Sequence, residues 1–186
     1  MERQLLIAIH PEYACNILNL FKTREARTWI PKNFVGWVNV YITQGKSYLY
    51  QTKRQHGKKI VLNDKNGYNR HWLKDFNKEY GINGKVAFRF WFEKYDTYKF
   101  EDGDYWNADL EKLCLTYNQV YEYGKGKTLY AWNINKLEIF DKPKELSEFW
   151  SEPIDFSIHT RAEALAEGYK PIQRAPQKCA WVYTKE

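Results

Sequence analysis

With 186 residues, 44% of them apolar, the chain has material for one sizeable core and is short for two. Cys15, Cys114 and Cys179 are far apart and form no C-x-x-C pair, so neither a zinc knuckle nor a disulfide framework is indicated. Net charge is +6 and 18% of residues are aromatic. That balance suits nucleic-acid binding, where cations meet phosphates and rings stack on bases, and equally suits an aromatic core under a basic surface.

Leu5 to Ile9 reads as a buried strand, too short for a signal peptide or a membrane span. With reduced thiols, this sets the expectation of a soluble cytoplasmic protein. His10-Pro11 breaks the strand, and Pro11 suits a first helical position. Ala14, Ile17, Leu18 and Phe21 follow helical spacing, which places Lys22 in the last turn, where a cation suits the helix dipole. If Thr23 to Trp29 is a strand, Thr23, Glu25 and Arg27 share one face, while Arg24 and Ala26 point the other way. One concave region then receives an ammonium, a carboxylate and a guanidinium.

Pro31 ends that strand, and Gly36 to Thr43 is the next. Ser47 to Tyr50 and Lys59 to Leu62 read as two short strands. Trp72, Leu73 and Phe76 suggest a helix ending near Gly81. Val86, Phe88, Phe90 and Phe92 alternate strictly with Ala87, Arg89, Trp91 and Glu93, the clearest strand of all. Asp102-Gly103-Asp104 is a turn. Asn107 can cap a helix through Leu113, and Thr116 another ending at Gly124. Leu129 to Ile139 is a long strand interrupted near Asn135 and stopped by Pro143. Lys178 to Tyr183 is the last. One domain over residues 1–186 is expected, with an inserted basic segment near 46–80 and an acidic excursion near 141–170. Many short strands with a few helices argue for a small α+β barrel with helical insertions.

Lys22, Glu25 and Arg27, following a strand and a helix, resemble the ASCH domain, a branch of the PUA-like superfamily. The family motif is G-x-K-x-x-E-x-R, and here Leu20 stands in place of the glycine. Tyr123-Gly124-Lys125-Gly126, Tyr130-Ala131-Trp132, Ile139 to Phe149 and Arg174-Ala175-Pro176-Gln177 also look like small ASCH-like proteins of bacteria and phages. The resemblance implies a PUA-like mixed β-barrel, with a helix after the first strand and a cleft beside that helix lined by the motif.

RNA or a nucleotide is the ligand that this resemblance implies. Lys22 and Arg27 would hold phosphate, with Glu25 orienting them or accepting from a base amino group. Arg24 and Trp29 lie beside the motif, and Arg174 and Lys178 flank the final strand at what the superfamily picture makes the same mouth. Lys22 and Glu25 are also the candidates for catalysis, since some ASCH proteins are amidohydrolases on acetylated cytidine and ribonuclease activity is associated with the family. That amidohydrolase pattern has a threonine three positions after the lysine, where this chain has Glu25. Glu25 as a general base also competes with its pairing to the two cations, because a nearby cation favours the charged carboxylate. Trp29, Trp37 and Tyr41 can stack on a base or fill the core. A protein partner for the acidic stretch is a third reading. His10, His56, His71 and His159 lack metal-ligand spacing, and no cofactor or metal is expected.

Overall fold

The computed structural model describes residues 2–44, 47–53, 59–64, 81–99, 108–155 and 157–184. In chain order they form β1 (Arg3–Ile9), α1 (Pro11–Leu18), β2 (Arg24–Arg27), β3 (Gly36–Ile42), β4 (Tyr48–Lys53) and β5 (Lys59–Asp64). Then follow β6 (Val86–Phe92), β7 (Tyr95–Tyr98), α2 (Leu110–Leu113), α3 (Tyr117–Gly124), β8 (Leu129–Asn133) and β9 (Asn135–Lys144). A 3-10 turn at Leu146–Glu148, α4 (Arg161–Ala166) and β10 (Ala180–Tyr183) complete the described chain. The helix expected around Trp72 and the turn at Asp102-Gly103-Asp104 lie outside the described residues.

β1 is buried on both faces, as its unbroken apolar run requires. Leu5, Ile7 and Ile9 join Ala14, Ile17 and Leu18 of α1 and Phe88, Phe90 and Phe92 of β6 in the main core. Leu6 faces the other way, into a cluster with Tyr41, Val86, Phe140, Phe149 and Val182. β1 pairs in parallel with β3 and antiparallel with β10. Parallel neighbours need a crossover, and here α1 and β2 provide it. The larger sheet runs β10-β1-β3-β6-β9, a second runs β2-β8-β7, and β4 pairs with β5 as a hairpin. The class is α+β, as expected. Among the described residues the strands form separate sheets and not one closed hydrogen-bonded barrel. The break at Ile134 carries the chain from β8 in the second sheet to β9 in the first, with Lys136 at φ 45 just beyond it.

Several boundaries differ from those expected. α1 stops at Leu18, four residues short of Lys22. Leu20 adopts φ 63, and the amides of Phe21 and Lys22 both donate to Asn16 O, at 2.9 and 3.0 Å, which closes the turn. Lys22 is therefore carried past the helix to the start of β2, not held in its last turn. The strand expected over Thr23 to Trp29 is only the four residues of β2. β9 runs through Pro143 to Lys144, because it is an edge strand, where a proline costs no ladder bond. α2 is capped by Asp109, whose carboxylate accepts from Lys112 N at 3.3 Å, while Asn107 lies outside the described residues. β7 gave no sequence signal because Tyr95, Asp96 and Thr97 are all exposed. The acidic stretch holds α4 and a small apolar cluster of Trp150, Ile154, Ile158 and Ala164.

Leu20 occupies the left-handed region with its side chain 69% exposed. A left-handed L-residue costs about 1–2 kcal/mol, partly offset in glycine by greater chain entropy. Leu20→Gly is expected to stabilise the chain by about 0.5–1 kcal/mol, read as a higher urea midpoint at unchanged slope.

Candidate ligand pocket beside the first helix

β2 is short, but its alternation decides the site. It pairs antiparallel with β8, Glu25 opposite Trp132 and Arg27 opposite Tyr130. Glu25 and Arg27 turn to one side. Arg24 turns to the other, where Nη1 donates to Tyr98 Oη at 3.1 Å and pairs with Asp96 of β7. Lys22, delivered by the Leu20 turn, joins Glu25 and Arg27. All three are buried, at 3%, 7% and 8% exposure.

Glu25 is shared between the two cations. Its Oε2 lies 3.4 Å from Lys22 Nζ and its Oε1 lies 3.0 Å from Arg27 Nη2. Each cation also reaches a backbone carbonyl. Lys22 Nζ donates to Leu113 O at 2.6 Å, at the end of α2, and Arg27 Nη2 donates to Ala8 O of β1 at 3.0 Å. Buried charges are tolerated only when paired and hydrogen-bonded, and this network meets both conditions for most of its atoms. Arg27 Nε is the exception, buried with no hydrogen-bond partner among the described residues.

The network forms one wall of a hollow of about 310 Å³. Ala8, Ile9 and His10 enter it from β1 and its exit, Tyr13 from α1, and Leu115, Gln119 and Tyr123 from α3 and its approach. Lys22 Nζ lies 5.5 Å from the centroid of the Tyr13 ring. Burial, reinforced by Glu12 and Glu25, raises the pKa of Tyr13 above its ordinary 10.0. Tyr123 is 46% exposed as a residue. Its hydroxyl nonetheless lies deep enough that burial raises its pKa above 10.0, with Arg27 pulling the other way. Beside the network, burial lifts the Cys114 thiol, against the pull of Lys22. A larger hollow of about 700 Å³ at α4 is lined by Glu152, Asp155, Glu163 and Glu167, all solvated on its rim.

Of the residues singled out in the sequence, the structure brings Lys22, Glu25 and Arg27 together. Arg24 lies on the opposite face. Trp29 packs edge-on against Trp132, with centroids 5.0 Å apart, and belongs to the fringe of the main core. Arg174 and Lys178 are exposed on the segment before β10, outside the pocket lining. Sequence reasoning missed Tyr13, Gln119 and Tyr123. The signal for the last two was present, since Thr116 and Gln119 form a capping box and Tyr123 lies one turn beyond Gln119.

No family model matches the chain, and no curated protein does. Solved structures do. The crystal structure of ASCH from Zymomonas mobilis matches with a TM-score of 0.54 at 15% identity, over 97% of this chain and 87% of that one. A tyrosine-to-phenylalanine variant of the Zymomonas mobilis protein matches with a TM-score of 0.54 at 14% identity, over 97% and 90% of the two chains. Its serine-to-alanine variant gives 0.54 at 15%, over 97% and 88%. The chain has the ASCH fold, in keeping with the resemblance of its charged motif. Among the described residues no helix is long and apolar enough to cross a membrane.

Removing Glu25 strands two buried cations, whereas removing Lys22 leaves the Glu25–Arg27 pair intact. Glu25→Gln is expected to cost about 3 kcal/mol or more, and Lys22→Met distinctly less, by urea denaturation. Equal losses would mean that the carboxylate is not shared. The tyrosines set a second expectation. Unfolded, they ionise near 10.0, and folded, only above it. Their contribution to stability is complete below pH 10.0 and declines as pH rises from there through the folded values. Tyr123→Phe should therefore flatten the alkaline loss of stability, followed by denaturant midpoints at successive pH values.

Proposed function

We propose that the chain binds RNA or a nucleotide in the pocket beside α1, with Lys22 and Arg27 meeting phosphate. Glu25 holds the two cations in place and offers its remaining lone pairs to a base N–H. The observation that carries this reading is the coexistence of the ion network and two tyrosine rings in one hollow of about 310 Å³. That volume falls in the range of small-molecule sites, about 300–1,000 Å³. Two cations against one carboxylate leave a single net positive charge in a partly desolvated setting, where electrostatic attraction is strongest. The rings of Tyr13 and Tyr123 supply faces for stacking, worth about 1–3 kcal/mol per base.

In this reading Trp29 supports the core, and Arg24 is spent on Asp96 and drops out of the site. Arg174 and Lys178 remain available to the phosphates of a longer strand. The fold is taken as PUA-like and the chain as one domain over residues 1–186, working in the cytoplasm. Binding is favoured over amidohydrolase or ribonuclease chemistry because Lys22 Nζ is committed to Leu113 O and Glu25. A lysine so engaged is arranged to hold a charge and not to attack a carbon.

The test is fluorescence anisotropy with a short labelled single-stranded RNA. Binding is expected at low salt, weakening as salt rises with a slope of about −0.7 per phosphate contacted. Combining Lys22→Met with Arg27→Met, with folding checked by circular dichroism, should lower affinity by at least about 10-fold. No binding at low salt, or binding indifferent to the double substitution, would sink the proposal.

A further inference from the structure

Gln119 and Tyr123 stand four residues apart on α3 and both line the pocket. Gln119 is not free to turn its amide. Its Oε1 accepts from Thr116 N at 2.8 Å, while its own backbone N–H donates to Thr116 Oγ1 at 3.3 Å. A backbone N–H can only donate, so the end of the amide on Thr116 must be the oxygen. The capping box thereby fixes which end of Gln119 is left over. It is the NH₂ group, which makes no hydrogen bond among the described residues.

We propose that Gln119 is a specificity-determining residue of the pocket, donating from its cap-fixed NH₂ group to a carbonyl oxygen of the bound base and selecting a keto base over adenine. This rests on the nucleotide reading above. A free glutamine recognises adenine with both ends of its amide, the oxygen accepting from the exocyclic amine and the nitrogen donating to the ring. Here the oxygen belongs to the helix cap, and only the donating half is offered. The rest of the hollow leans the same way. Glu25 supplies acceptor capacity for a ring N–H. A uracil ring carries that combination, an N–H flanked by carbonyls.

Gln119→Glu isolates the effect. Glutamate serves the capping box as well as glutamine does, so α3 keeps its start, but the NH₂ donors become an acceptor. The full chain is titrated calorimetrically with UMP and with AMP, wild type beside variant, and the ratio of the two affinities is read. The ratio cancels the added negative charge, which repels both nucleotides alike. Wild type is expected to prefer UMP by about 5–10-fold, and the variant to lose or reverse that preference. Equal binding of the two nucleotides by wild type, or a preference unchanged in the variant, overturns the role of Gln119 and leaves the nucleotide reading standing. Uptake of neither nucleotide by wild type overturns the role of Gln119, and the wider reading is then decided by the RNA titration.

Discussion

A carboxylate shared between two buried cations organises this protein's pocket. Glu25 could not lie buried alone, and neither could Lys22 or Arg27, since each would carry a large desolvation cost. Together they neutralise most of that cost, and the carbonyls of Leu113 and Ala8 each accept a further hydrogen bond from one of the two cations. Those carbonyls belong to different parts of the fold. Leu113 ends α2 and Ala8 lies in the central strand β1, so the network ties β2 and the second sheet to both. The geometry of the pocket wall is thereby locked to the core, not to a loop.

The cost of this arrangement falls on the chain between α1 and β2. Only a sharp exit from the helix brings Lys22 onto the same side as Glu25 and Arg27. Leu20 makes that exit in a left-handed conformation, at the position where the resembled motif has glycine. Its side chain projects into solvent, so the strain is not relieved by burial. α3 makes another wall of the hollow. Its capping box sets both where the helix begins and which way Gln119 presents its amide, so one local motif does structural and positioning duty together.

Much of the fold was legible as pattern. The apolar run of β1, the Pro11 helix start, the strict alternation of β6 and the Thr116 cap all carry strong local signals, because each is fixed by period or by capping chemistry. β7 and the end of α1 were not legible. A four-residue strand with three exposed residues has no hydrophobic period to read, and the helix ends through a left-handed leucine where propensity gives no stop. Pro143 misled for a related reason. Proline breaks a central strand, but β9 is an edge, and which strand is the edge is decided by sheet order alone.

For the site, the sequence determined that Lys22, Glu25 and Arg27 would stand close together, because they are near neighbours in the chain. It also determined that Glu25 and Arg27 would share a face opposite Arg24, because side chains alternate along a strand. Only the tertiary structure decided that this face is buried, which carbonyls receive the two cations, and that Tyr13, Gln119 and Tyr123 close the hollow. Those partners lie up to about a hundred residues away along the chain, between Lys22 and Tyr123. No local rule brings such positions together. Their meeting follows from the packing of the two larger sheets with α1, α2 and α3.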